Sequence, residues 1–441
     1  MADTETPTEV STTDTSQTRG PRPTALSLLR ATEVDTRLIG LLLGLAAIWI
    51  GFNYMSGGTF LSPRNLWNLS VQFAAVATMA SGMVLVIVSR NIDLSVGSML
   101  ATIATAMALL QSEILPELLG FDHAATWIIA LLAGVVLGAL IGAFQGVIIA
   151  YVGVPAFIVT LGGLLVWRGV AFLMASGRTI APLDSTFRLI GGGSAGAIGG
   201  GWSWFLAGVA CVAIIALIVN NRRMRRRYGL KLRPVWAEIT VGGILCGAVL
   251  IGVGTLNRYY MPESLARSYA ESRGIAWPEG GLDIPMGLAY PVLIVIAIAL
   301  LMTFIANRRR FGRYVYAIGG NPEAAQLAGV NTRWTTVKIF TLMGMLVAVA
   351  AAIQSARLNA AVSGMGQLNE LYVIAAAVIG GTSLAGGVGT IAGAMLGALV
   401  MQSLQSGMVL MGVDAPLQTV VVGIVLVLAV AIDAYYQRRA K

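Results

Sequence analysis

The sequence predicts an all-α fold, a polytopic helical membrane protein of about 12 spans, with 10–14 allowed. Three observations carry that prediction. Charged residues make up only 11% of the 441 residues against 57% hydrophobic, and the mean hydropathy is +0.80. A soluble domain carries about 25% charge, so a soluble globular enzyme is excluded. Apolar runs of the roughly 20 residues that a bilayer-crossing helix needs recur along the chain. These runs are continuous rather than alternating, which argues against a transmembrane barrel.

The elements follow in order. Residues 1–37 are polar, Thr-rich and mixed in charge, and read as a disordered cytoplasmic segment. A long polar stretch before the first apolar run is unlike a signal peptide, so the first span is expected to remain as an anchor. Spans are expected at 38–55, 66–88, 95–111, 125–150, 154–175, 202–220, 235–254, 286–306, 336–356, 370–384, 388–411 and 414–432. The shortest are 95–111 and 370–384, and the latter ends in a glycine-rich break. Residues 434–441 form a short cytoplasmic tail.

Orientation follows from the loops. Residues 221–233 carry seven basic side chains and no acid, 307–335 carry five arginines against Glu323, and 437–441 carry three basic residues. Loop 111–123 has three acids and no Lys or Arg, and 257–285 has three arginines against four acids. An even number of spans with both termini inside puts every strongly basic segment in the cytoplasm. The net charge of +9 therefore reflects orientation in a membrane and not nucleic-acid binding. Cys211 and Cys246 lie inside apolar stretches, so neither a disulfide framework nor a zinc site is expected. His123 is the single histidine, which excludes a histidine-based metal cluster.

An internal repeat is visible. Gly134-Val-Val-Leu-Gly-Ala-Leu resembles Gly393-Ala-Met-Leu-Gly-Ala-Leu, and after a two-residue shift Gly146 pairs with Gly407 and Pro155 with Pro416. The copies, about 66–175 and 336–433, fall on spans of opposite direction. They read as inverted repeats, a recurrent transporter design.

Three segments carry mechanism. In the first, Asn321 is a good N-cap, Pro322 suits the first helical position, Glu323 opposes the positive helix end and Gly329 can close the helix. A helix of about two turns is unstable alone, so it docks either on its own protein or on a cytoplasmic partner. In the second, Asp93 precedes a small-residue helix that it can cap through the Ser95 and Val96 amides. Glu370 is its possible repeat mate, so that the two acids begin related helices on opposite sides of the membrane. Both read either as caps at the bilayer surface or as the mouths of a pathway. In the third, Gly380-Gly-Thr-Ser-Leu-Ala-Gly-Gly-Val-Gly389 lacks the lysine of a phosphate loop and reads as a broken helix. Other intramembrane polar groups are Gln72, Gln145, Arg168, Glu238, Gln354, Gln402 and Gln405. Arg168 either snorkels or lines a pathway, and Glu238 is expected to pair with the adjacent basic loop. No catalytic constellation emerges.

At these residues the chain resembles the permease subunits of ATP-binding-cassette importers for monosaccharides, of the ribose/xylose/galactose group and nearest the xylose type. The resemblance covers about residues 60–433. It rests on Ile92-Asp-Leu-Ser-Val-Gly-Ser-Met99, Pro155-Ala-Phe-Ile-Val-Thr-Leu161, Gly312-Arg-Tyr-Val-Tyr-Ala-Ile-Gly-Gly-Asn321, Glu323-Ala-Ala with Gly329, and Gly380-Gly-Thr-Ser-Leu-Ala-Gly-Gly387. Like xylose-type members, the chain has an extra helical hairpin, about 202–254. The resemblance implies an inner-membrane transport subunit for D-xylose or a similar pentose or hexose, with two permease copies forming the pathway. It also implies a cytoplasmic ATPase that uses ATP and Mg, docked on the loop bearing Asn321, Pro322, Glu323, Ala324, Ala325 and Gly329, and a periplasmic sugar-binding protein opposite. No cofactor is expected on this chain itself. Asp93, Ser95, Arg168, Gln354, Glu370 and Tyr372 are the candidate pathway residues; family members often carry an Asp where this chain has Tyr372. Competing expectations are an importer for a nucleoside or sugar-derived signal, and an ion-coupled carrier, which would need more buried acids than the spans supply.

Overall fold

The computed structural model describes residues 36–440 except 194–195, 273 and 279. The segment expected to be disordered lies almost wholly outside these residues. Each expected span coincides with a helix. In chain order the helices are α1 (Thr36–Met55), α2 (Pro63–Val88), α3 (Val96–Leu109), α4 (Thr126–Val147), α5 (Ala156–Ala175), α6 (Gly200–Arg227), α7 (Val235–Leu256), α8 (Tyr290–Arg308), α9 (Arg310–Gly320), α10 (Pro322–Leu327), α11 (Thr332–Leu358), α12 (Asn369–Ile379), α13 (Ile391–Leu410) and α14 (Ala415–Ala440). Among the described residues, ten helices are long and apolar enough to cross a bilayer, counting α3 with the π turn Leu110–Ile114 and the short helix Leu115–Leu119 that prolong it. Helix α12 and Ala415–Ala431 of α14 are shorter apolar helices. The residues expected to form a free tail continue α14. Among the described residues, β pairing is limited to isolated bridges, one of them joining Ile180 to Ala361.

Burial sorts the helices into a centre and a rim. In α2, 89% of the apolar window is buried, whereas α1 buries none of its own. A helix that is apolar all round is either packed inside or bathed in lipid, and the two occur side by side here. Helices α2, α3, α11, α12 and α13 form the centre, while α1 and α5–α8 turn Leu, Ile and Val side chains outward. Small residues allow the central backbones to approach closely. Gly142 of α4 is one case: a Cβ there would collide with the Phe340 carbonyl oxygen of α11.

The ends of the bundle differ in charge. Helix α6 finishes in Arg225, Arg226 and Arg227, and α8 finishes at Arg308 beside α9, which makes one face of the bundle basic. In the α6–α7 hairpin, Arg222 bonds Glu238 at 2.7 Å, the expected pairing.

Candidate functional site

The chain enters the bundle from both ends as non-helical segments of turns and irregular backbone. The first is Ser89–Ser95. Helix α2 ends at the basic face, where the Gly387 amide donates to the Val88 carbonyl (2.9 Å). From there the chain climbs back beside α5. Thr160 donates to the Ile92 carbonyl (3.2 Å), a Cβ on Gly163 would touch Ser95, and Thr102 of α3 donates to the Trp167 carbonyl (2.6 Å). At 1.5 Å of rise per residue, Ser95 therefore lies about 10 Å above the start of α5. Helix α3 begins there and, with the π turn and short helix that prolong it, continues to Leu119.

The second segment, 359–368, enters from the opposite face. Ala361 and Ile180 exchange both backbone hydrogen bonds at 2.9 Å. Deeper in, Arg168 of α5 donates to the Ser363 and Met365 carbonyls, each at 2.8 Å. Helix α12 then starts at Asn369 and runs 11 residues toward the basic face. The N-termini of α3 and α12 meet inside the bundle, with Gly97 facing the Gly366 carbonyl and the Glu370 carboxylate; a Cβ on Gly97 would collide with both.

This geometry corrects three expectations. Asp93 and Glu370 do not cap helices at the bilayer surface, for they are 1% and 7% exposed. Nor do they begin helices on opposite sides, because the non-helical segments re-enter the bundle and bring the two helix starts together. Arg168 is tied inward rather than snorkelling, satisfying two carbonyls of the irregular segment that would otherwise lack a partner.

The two acids are held differently. Asp93 Oδ1 accepts from the Ser95 amide (2.9 Å) and hydroxyl (2.6 Å), and Gln145 Nε2 donates to the same hydroxyl (3.0 Å). The capping by Asp93 thus runs through Ser95 and not Val96. Glu370 Oε2 has no hydrogen-bond partner.

On the side of this meeting point away from the basic face lies a cavity of about 540 Å³. Its polar lining is Asn65, Asn68 and Gln72 of α2, Gln354 and Arg357 of α11, Asn369 of α12, and Gln402, Gln405 and Ser406 of α13. Gln402 Nε2 donates to Gln72 Oε1 (3.0 Å) and Gln405 Oε1 (3.1 Å), and Asn369 Nδ2 donates to Gln354 Oε1 (3.3 Å). Carboxamides supply donors and acceptors without charge, a chemistry suited to hydroxyl groups of a neutral solute. Of the six candidate pathway residues, only Gln354 lines this cavity. Glu370 lies next to Asn369 in its floor, Tyr372 is 7% exposed and turned into the core, and Asp93, Ser95 and Arg168 lie outside the lining. Sequence reasoning missed Asn65, Asn68, Arg357, Asn369 and Ser406. A signal existed: 65, 68 and 72, and likewise 402, 405 and 406, recur at the spacing of one helix face.

At the basic face, α10 carries the expected caps. Asn321 Oδ1 accepts from the Ala324 amide (3.0 Å), Pro322 opens the helix and Gly329 closes it at φ 82°. Glu323 and Ala324 are exposed. Ala325 is buried at 5% exposure and cannot touch a partner, whereas Leu327, which sequence reasoning passed over, is 90% exposed. The preceding helix α9 is clasped from two sides. Arg90 donates to the Gly319 and Gly320 carbonyls, each at 2.7 Å, and the Tyr316 hydroxyl donates to the Gly389 carbonyl at 2.7 Å. Burial pushes the Tyr316 phenol above its ordinary pKa, so it remains a donor. Arg90 begins the first non-helical segment, and the glycine-rich loop holding Gly387 and Gly389 follows α12.

A buried junction of two helix starts, an amide-lined polar cavity that also holds Arg357 on one side and a capped, exposed helix on the other fit a membrane permease. The family model for the branched-chain amino acid transport system / permease component matches residues 65–236 and 194–430. The xylose transport system permease protein of Haemophilus influenzae is 35% identical over 93% of this chain and 100% of its own length. The Escherichia coli K12 protein of that name is 35% identical over 95% and 97%, and the E. coli K12 ribose import permease protein is 31% identical over 85% and 87%. No solved structure matches the chain. The chain belongs to this ABC-importer permease family, as a multi-pass membrane transport subunit and not an enzyme. Membership implies a separate ATPase and a solute-binding protein as partners.

Proposed function

We propose that the chain carries a neutral monosaccharide, D-xylose or a similar pentose or hexose, across the inner membrane as one of two identical permease copies. The basic face is cytoplasmic by the positive-inside rule, which places both ends of the described chain inside and the amide-lined cavity toward the periplasm. A binding protein releases sugar into that cavity, and the ATPase, which uses ATP and Mg, docks on α10 through Glu323, Ala324 and Leu327.

The observation that carries this reading is the double clasp on α9. A displacement of α10 by the ATPase passes into α9. From there it reaches the first non-helical segment through Arg90, and the base of α12 through Gly387 and Gly389. Both α3 and α12 would shift where their starts meet beneath the cavity. Nucleotide state then selects which mouth is open, because the ATPase binds one conformation more tightly than the other.

Packing supports the inverted repeat, about 66–175 and 336–433. Helix α11 packs on α4 as α2 packs on α13, and α3 packs on α5 as α12 packs on α14. The α6–α7 hairpin stands outside this correspondence.

The test is Glu323→Arg. The variant is expected to insert and purify normally, lose the ATPase on co-purification and lose ATP-dependent sugar uptake in vesicles supplied with the binding protein. Uptake at the unmodified rate, or uptake driven by an ion gradient with this chain alone, refutes the proposal.

A further inference from the structure

A cleft of about 740 Å³ opens at the basic face where α8, α9 and the start of α11 come together. Its rim is Arg308, Arg309, Arg310, Arg313 and Lys338, its floor is Ile305, Phe311 and Leu342, and no acidic residue lines it. None of the five cations pairs with a carboxylate among the described residues. Two of them lie over aromatic rings at the membrane edge. The Arg309 guanidinium is 4.8 Å from the Phe304 ring centroid, and Lys338 Nζ is 5.4 Å from that of Trp334. A guanidinium seated on a ring keeps its in-plane N–H donors free for phosphate oxygens.

We propose that this cleft binds the headgroup of an anionic glycerophospholipid from the cytoplasmic leaflet. The floor supplies the start of an acyl path, and the rim supplies the charge. Basic pockets between helices at this level of a membrane take phosphate headgroups, whereas a soluble anion would have no use for the apolar floor. The cleft is separate from the exposed surface of α10. Because Lys338 sits on α11 and the arginines on α8 and α9, a bound phosphate bridges the platform beneath α10 to the central helix.

The experiment is native mass spectrometry of the purified full chain incubated with phosphatidylglycerol or cardiolipin, and separately with phosphatidylcholine plus inorganic phosphate. The triple variant Arg309→Gln, Arg310→Gln, Lys338→Gln is compared with a control of equal charge loss, Arg223→Gln, Arg226→Gln, Arg227→Gln. Each cation near a membrane surface contributes about fivefold to anionic-lipid affinity, so the triple variant is expected to bind on the order of a hundredfold more weakly while the control retains lipid. Matching elution of both variants on size exclusion establishes that they remain folded. Equal retention by the triple variant overturns the proposal. Displacement of the lipid by inorganic phosphate also overturns it, in favour of a free-anion site. Loss of ATPase docking with lipid binding intact overturns it in favour of a protein contact.

Discussion

The junctions α2–α3 and α11–α12 are built alike and finished differently. In each, a long central helix is followed by a non-helical segment that re-enters the bundle, and a new helix starts inside it. The first return takes seven residues, Ser89–Ser95, and its acid is held through Oδ1, which accepts from the Ser95 amide and hydroxyl, while that hydroxyl accepts from Gln145. The second takes ten residues, 359–368, and its acid keeps one oxygen unpaired. Its backbone is tied at two carbonyls by a single side chain, Arg168, and Leu368 enters α12 at φ 64° in the left-handed region. Such a residue stores strain, and both returns hold one, since Arg90 of the first has φ 65°. The second junction also floors the cavity, through Asn369. The contrast predicts that α12, and not α3, is the helix that moves during transport.

Substitutions at the two junctions break or sharpen this contrast. Gly97→Val should have the largest effect, since any side chain there meets the Gly366 carbonyl and Glu370. Overpacking of this kind costs about 1–3 kcal/mol, and here it also holds the helix starts apart, so uptake should be abolished in protein that still inserts. Arg168→Met should come next. It orphans two buried carbonyls at about 1–3 kcal/mol each, lowers the thermal midpoint and reduces uptake, whereas Ser95→Ala at the first junction should cost less by both readouts. Equal losses at the two junctions would contradict the fixed-versus-moving distinction. Tyr316→Phe removes the hydroxyl that holds Gly389, worth about 1 kcal/mol. It should uncouple ATP hydrolysis from uptake while leaving ATPase co-purification intact.

The smallest effect lies far from both junctions. The Ser185 amide donates to Asp122 Oδ1 at 2.7 Å and holds that carboxyl below the ordinary carboxylate range. A depressed folded-state pKa contributes stability that is present above the unfolded value, about 3.9, and is lost as pH falls through the folded value. Thermal midpoints measured on either side of that range should show a slight acid-side loss that Asp122→Asn abolishes.

How much of this was legible beforehand follows from the range of each interaction. The caps of α10 depend on neighbours within a few residues, so Asn321, Pro322 and Gly329 declare themselves in the sequence. Ala325 does not, because its burial depends on where the helix lands. The short spans 95–111 and 370–384 stood out by length, yet length alone could not show that both helices start inside the bundle. That distinction rests on contacts such as Thr160 with Ile92 and Arg168 with Ser363, which join positions 68 and 195 residues apart.

Hydropathy, charge and capping are local properties, so the amino-acid order alone shows that this chain lives in a bilayer, where its helices lie, which face is basic and that a short capped helix lies there. Tertiary structure alone decided that two helix starts meet inside the bundle, that Arg168 secures backbone, and that amides from four helices enclose one cavity. Those outcomes are set by which distant backbones pack together, and no local pattern encodes that choice.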